Sequence, residues 1–241
     1  MEGKAKIGIL RWEEGKVEKG LLQLEELPGN STNPASYPFP VEMVHVPGAC
    51  MDTILRHPDP VIKQRMIDAA KEMQAHGVKA IFGSCGFNAI WQKDIAAAVD
   101  ISVCMSSLLQ IPFVQQTIGP EKKVLVVTAN AGALTREHFE NCGVYADRCS
   151  YVVFGLEGCP EWNKQYDTPD IPYDMEYLEK EILDAVAGAA KSDPAIGAIV
   201  IECTDLPPYQ QKIAEVTGLP VYSINTMIGY AALMLGEIKM F

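Results

Sequence analysis

Short apolar runs recur along the chain: KIGIL from Lys6, VEMVHV from Val41, AIFGS from Ala80 and ISVCMS from Ile101. A second set follows in the same order: KKVLVVTAN from Lys122, YVVFG from Tyr151, AIVIEC from Ala198 and VYSIN from Val221. Most are continuous rather than alternating, which predicts parallel strands covered on both faces. Amphipathic segments separate them. Ile62, Met66, Ile67, Ala70 and Met73 fall at i, i+3, i+4 spacing and predict a helix from Asp59 to Gly77. Further helices are expected at Ala133–Gly143, from about Asp174 to Lys191, and from Thr226 onward. Strands alternating with helices predict an α/β protein with parallel sheets.

The pattern is duplicated. AIFGSCGFNAIWQKDIAAAVDISV from Ala80 and AIVIECTDLPPYQQKIAEVTGLPV from Ala198 share a strand–cysteine–helix–strand layout at a constant offset, since 80 + 118 = 198 and 85 + 118 = 203. Ile7 and Ile9 map to Leu125 and Val127 by the same offset. This predicts two pseudo-symmetric, flavodoxin-like α/β lobes, residues 1–115 and 116–225, with the helix in 226–241 packing back on the first. Ligands of parallel sheets bind outside the carboxyl ends of the strands, which puts the expected site in the cleft between the lobes. The Pro- and Gly-rich stretch from Glu13 to Pro40 reads as a long loop, a mobile lid or an oligomer contact.

Composition narrows the function. A net charge of −11 without Lys/Arg clusters argues against nucleic-acid binding. No apolar run approaches the roughly 20 residues needed to cross a membrane. The start, MEGKAKIGIL, lacks a signal-peptide pattern, so a cytoplasmic location is expected. Seven cysteines without CxxC or clustered Cys/His spacing point neither to a disulfide framework nor to a metal site, and no cofactor is called for.

Cys85 and Cys203 stand apart from the other five. Each closes an apolar strand and enters a polar segment read as a helix, where a helix N-terminus lowers a thiol's pKa. Two thiols facing across a cleft suit proton removal from a carbon acid, with return of the proton to the other face or departure of a β-leaving group. A cysteine hydrolase would want a histidine base, and none lies near either motif in sequence.

The motifs around Cys85 (GSCG), Val124–Asn130 (VLVVTAN) and Ile201 (IECTDLPPY) resemble the aspartate/glutamate racemase superfamily, whose members have two pseudo-symmetric lobes and two catalytic cysteines without a cofactor. The resemblance implies those roles for Cys85 and Cys203, with Thr204 matching the C-T step. Gly86 and Phe87 stand where many amino-acid racemases have Asn-Thr. CGF at Cys85, MSS at Met105, ECTDLPPY at Glu202 and PASY at Pro34 are similar to the algal dimethylsulfoniopropionate lyases, which implies β-elimination to acrylate and dimethyl sulfide. The leading expectation is racemisation of a small carboxylate, with elimination and a non-catalytic carboxylate-binding protein as alternatives. A homo-oligomer, dimer or tetramer, is expected.

The remaining candidates sit at strand ends or near the supposed cleft. Thr128 and Asn130 follow VLVV, where an amide and backbone N–H groups can take a carboxylate or cap the next helix. Ser106 and Ser107 end another strand, and Tyr37, Phe87 and Trp91 offer aromatic faces to a cation.

Overall fold

The computed structural model describes residues 4–239. The first sheet holds β1 (Ile7–Arg11), β2 (Val41–His45), β3 (Ala80–Gly83) and β4 (Ser102–Cys104), all parallel, in the order β2-β1-β3-β4. The second holds β5 (Lys123–Thr128), β6 (Tyr151–Gly155), β7 (Ile196–Ile201) and β8 (Val221–Tyr222), in the matching order β6-β5-β7-β8. The chain is thus an α/β protein of two like sheets, as the duplicated pattern predicts. The two differ by one residue in register. Ile7 pairs with Ala80, whereas its counterpart Leu125 pairs with Ile199, beyond an irregularity between Lys123 and Val124.

The helices are α1 (Lys19–Glu25), α2 (Pro60–His76), α3 (Gln92–Ala97), α4 (Ile111–Thr117) and α5 (Arg136–Asn141), then α6 (Pro160–Asp167), α7 (Met175–Ser192), α8 (Gln210–Thr217) and α9 (Ile224–Met234). Helix α2 shows why its ends were legible. The Asp59 carboxylate accepts the Val61 N–H at 2.8 Å, Pro60 occupies the first turn, and Gly77 closes it at φ 108°. The buried stripe Ile62, Met66, Ala70, Met73 faces the first sheet's core.

Three expectations need correction. The segment from Glu13 to Pro40 is not all loop, because α1 lies within it and buries Leu21 and Leu24. A Cβ at Gly20 would come within 2.6 Å of the Tyr173 ring, so only glycine allows this approach to the second lobe. Lys19 N–H donates to Pro169 O at 3.1 Å and Tyr173 N–H to Gln23 Oε1 at 2.6 Å, which makes the segment a strap joining the lobes. Second, the helix expected at Ala133–Gly143 is only Arg136–Asn141, capped by Thr135 rather than by Asn130. Third, the last helix begins at Ile224, where Ser223 and Thr226 form a capping box. It lays Ile224, Ile228 and Ala232 against Ile7, Ile9, Ala80 and Phe82 of the first sheet. The end of the expected 226–241 segment, residues 240–241, lies outside the described residues.

Candidate active site

Both conspicuous cysteines follow central strands. After β3, Ser84 N–H donates to Leu10 O at 2.9 Å and carries the ladder one residue further, so Cys85 emerges at the sheet's carboxyl edge. A tight 3₁₀ turn, Gly86–Trp91, starts immediately after it. After β7, Glu202 N–H donates to Val127 O at 2.7 Å in the same way, and Cys203 emerges from the second sheet. The helix expected directly behind Cys203 is displaced. A turn through Leu206 and a short 3₁₀ segment, Pro207–Tyr209, come first.

The two edges meet. Thr204 donates its hydroxyl to Ser84 O across the junction. Gly86 is pressed on Glu202 so closely that a Cβ there would overlap the Glu202 carbonyl oxygen and its Oε1. One cavity lies at this junction, and Cys85 and Cys203, 8% and 7% exposed, both line it. Gly86, Phe87 and Thr204 line it too. Its remaining wall has an acidic part (Glu25, Asp205), an aromatic part (Trp12, Phe87, Tyr166) and an aliphatic part (Val17, Leu21, Met51, Leu55). Val17, Leu21 and Glu25 come from the strap, which therefore closes over the thiols. Among the described residues no Lys, Arg or His lines the cavity, and no group of three His, Cys, Asp or Glu is arranged to hold a metal ion.

The other sequence candidates lie outside the cavity lining, and most of their polar groups are engaged elsewhere. Ser107 donates to Ile201 O at 2.6 Å, and the Ser106 hydroxyl accepts the Leu108 N–H at 3.3 Å. Thr128 donates to Glu202 Oε2 at 2.7 Å. Tyr37 donates to Ser31 O at 2.7 Å and packs on Phe39. The Asn130 side chain makes no cap bond, and the Ala131 N–H beside it is already taken by the Glu157 carboxylate at 3.1 Å. Strand-end position alone thus overstated the site: these hydroxyls stitch the lobes and turns together. Trp91 is buried in the core and does not line the cavity, so it offers no aromatic face there.

Electrostatics departs furthest from expectation. Instead of being lowered by a helix terminus, both thiol pKa values are raised. For Cys85 the causes are burial, then the Glu202 carboxylate and, more weakly, that of Asp205, opposed by the Phe87 and Asn88 backbone N–H groups. For Cys203 they are burial, then Asp205 and Glu202, opposed by the Asp205 N–H. Burial also pushes Asp205 up to about 7, against a hydrogen bond from Asn30 Nδ2 at 3.2 Å. Glu202 is wholly buried and pushed up to about 8, with only Thr128 favouring its charge. Burial and the neighbouring carboxylates thus favour the neutral thiols, and a cationic ligand would favour a thiolate.

His138 approaches Phe87 edge-on, ring centroids 5.8 Å apart, but does not line the cavity. Its Nδ1 accepts the Thr135 N–H at 3.1 Å, and burial lowers its pKa to about 4. A neutral imidazole locked in that way gives no support to a Cys–His hydrolase. Asp205 and Tyr166 line the cavity but were not among the residues the sequence singled out. Asp205 had a signal, a carboxylate two residues after the second cysteine; Tyr166 had none.

No family model matches the chain. It is 31% identical over 201 residues to a dimethylsulfoniopropionate lyase from Durusdinium sp. clade D, covering 81% of this chain and 66% of that protein. It is 33% identical over 205 residues to dimethylsulfoniopropionate lyase 3 of Emiliania huxleyi, covering 82% and 53%. The chain therefore spans roughly half to two thirds of the length of these relatives. Among solved structures, an aspartate racemase homologue from Pyrococcus horikoshii OT3 superposes with a TM-score of 0.60 at 16% identity, over 94% of this chain and 99% of that one. Sequence and fold point the same way: the chain is similar in sequence to the dimethylsulfoniopropionate lyases and shares the two-lobed fold of the aspartate racemase homologue.

Proposed function

We propose that the chain is a cysteine-dependent lyase that eliminates a β-sulfonium group from a small carboxylate, with dimethylsulfoniopropionate as the substrate to test. The observation that carries this reading is the cavity's composition. Paired thiols, the Asp205 carboxylate and three aromatic rings surround a space that, among the described residues, no basic side chain lines. Aromatic faces and carboxylates attract a sulfonium cation, and they give no advantage to an anionic amino acid such as glutamate.

Cys203 serves as the base in this mechanism. Asp205, which lines the cavity, is the leading carboxylate acting on Cys203, whereas on Cys85 it ranks behind Glu202, which is packed against Gly86 and does not line the cavity. The substrate's positive charge offsets the repulsion that keeps the thiol neutral, and Asp205 accepts the thiol proton. The thiolate then takes the proton from the carbon next to the substrate carboxylate. The electron pair of that C–H bond becomes the new C=C bond, the C–S bond breaks, and acrylate and dimethyl sulfide leave. Cys203 ends as the thiol it began as, and Asp205 releases the proton it accepted to solvent, which resets the site. Dimethyl sulfide in the headspace over enzyme and dimethylsulfoniopropionate tests the reading directly; its absence across repeated preparations overturns it.

A second reading, racemisation, is favoured by one observation: both thiols line the same cavity. It requires α-proton exchange and inversion of a chiral carboxylate in deuterium oxide. Under either reading a homo-oligomer is expected. The exposed Phe113, Tyr230 and Met234, which border a groove between α4 and α9, support that expectation.

A further inference from the structure

A β-sulfonium carboxylate has two charged ends, and the wall's carboxylates and aromatic ring faces answer only the cation. The other end is an anion entering a cavity beside Glu25 and Asp205. Arg11 is the nearby cation on the first strand, but it is not part of the lining and its Nη2 is held by Glu25 at 2.6 Å. The carboxylate must therefore be met by neutral donors. Of the lining side chains, Thr204 spends its hydroxyl on Ser84 O, and Gln165 donates to Trp162 O at 3.1 Å. Two others carry a buried polar atom with no partner at all: the Tyr166 hydroxyl and the Trp12 indole Nε1. Unpaired buried donors are costly, and one in a binding cavity calls for a ligand acceptor.

Tyr166 is the better placed of the two. Both thiols oppose its ionisation, after burial itself, so its hydroxyl lies within their electrostatic reach and stays a neutral donor. The helix that carries it, α6, is firmly anchored. Trp162 Nε1 donates to Ala129 O at 3.2 Å, Tyr173 donates to Trp162 O at 3.2 Å, and the Glu181 carboxylate accepts the Glu161 and Trp162 N–H groups at the helix start. A donor fixed before the ligand arrives costs little reorganisation.

We propose that the Tyr166 hydroxyl, assisted from the first lobe by the Trp12 indole N–H, is the hydrogen-bonding pair that recognises the substrate carboxylate. This rests on the reading that the cavity takes a small carboxylate. It adds which residues distinguish a carboxylate from a neutral analogue. When the α-proton leaves, negative charge grows on the same carboxylate oxygens, so the hydroxyl strengthens its hold at the moment of reaction.

The experiment compares binding of propionate and its neutral analogue propionamide to wild type, Tyr166→Phe and Trp12→Phe, by calorimetric or NMR titration. Wild type should prefer propionate, and Tyr166→Phe should bind it about 10–100-fold more weakly, the usual effect of losing a hydrogen bond to a charged group. Propionamide binding should change little, because a merely structural role would alter both ligands together. Trp12→Phe should show the same selectivity loss, to a smaller extent. Unchanged propionate binding in Tyr166→Phe overturns the proposal, as does a wild type that does not prefer propionate. Equal melting temperatures check that the variants are folded. Since no turnover is measured, failure of elimination chemistry and failure of this recognition pair are read separately.

Discussion

Cys85 and Cys203 occupy equivalent places in the two lobes, each one step past a central strand, and yet their surroundings are not equivalent. Cys85 is followed by a 3₁₀ turn whose Phe87 and Asn88 N–H groups favour its thiolate, and its acidic neighbour Glu202 is sealed behind Gly86. Cys203 has a single N–H, from Asp205, but that residue's carboxylate lines the cavity. The two lobes place the thiols alike, but the residue two positions on is Asp205 after Cys203 and Phe87 after Cys85. Equivalent positions in a repeat share backbone geometry; they need not share chemistry.

The largest effect should come from removing the thiol with the accessible carboxylate. Cys203→Ala should lower dimethyl sulfide formation about 10²–10⁴-fold, the worth of a positioned general base, while Cys85→Ala loses clearly less. Initial rates at saturating substrate measure the difference. Equal losses would erase the asymmetry and favour a two-base racemase.

Next is the wall between Glu202 and the cavity. Gly86→Ala places a methyl group onto the Glu202 backbone oxygen and carboxyl, and backbone cannot rotate aside as a flexible side-chain tip can. A loss of about 1–3 kcal/mol in unfolding free energy is expected, the common cost of overpacking. Urea denaturation reads it. An unchanged midpoint would mean the lobes separate easily at this junction.

A pH-dependent effect follows from Glu202 itself. Burial raises its pKa from 4.5 to about 8, so between those values the folded state binds a proton the unfolded chain releases. Its contribution to stability is present at low pH and lost as pH rises through that window. Glu202→Gln copies the neutral acid and has no such proton. The variant should therefore gain on wild type as pH rises from 5 to 8, by at most about 1.4 kcal/mol per pH unit. The buried groups around this carboxyl are Thr128, Cys85, Cys142 and Cys203, with Tyr166 also in its field. None of them is expected to titrate below pH 8, which keeps the comparison clean. A pH-independent difference would mean Glu202 is ionised in the fold.

The strands, the parallel architecture and the two cysteines were legible because apolar runs and strand-end positions are local properties. Helix α2 was legible for the same reason, through Asp59 and Gly77. The strap helix α1 was not: it has seven residues and no side-chain cap, and it is held by Tyr173, about 150 positions away. Tyr166 was invisible because nothing in GLEGCPEWNKQYD marks one tyrosine as facing thiols from both lobes. Ser107 and Thr128 were overread because strand ends in this fold are also where the lobes meet. Their hydroxyls bond to Ile201 O and Glu202, so packing at the junction uses the same residue types that binding would.

The smallest effect sharpens that last contrast between junction and site. Asn130 sits at the end of β5, a position suited to holding a carboxylate, and its backbone neighbour could supply an N–H. In the fold the Ala131 N–H is bonded to Glu157, and the true helix cap is Thr135, five residues on. The Asn130 side chain makes no cap bond, and it does not line the cavity. Asn130→Ala therefore removes neither a substrate contact nor a helix cap. Stability should stay within about 0.5 kcal/mol, as for surface substitutions away from special features. Catalytic efficiency should stay within about twofold, since a change of 1.4 kcal/mol is needed for a factor of ten. The same assay run on Tyr166→Phe supplies the contrast. If Asn130→Ala proved as damaging as Tyr166→Phe, the cavity would have to open toward β5 in the working enzyme, and Glu157 would be a stand-in for the substrate carboxylate at the Ala131 N–H.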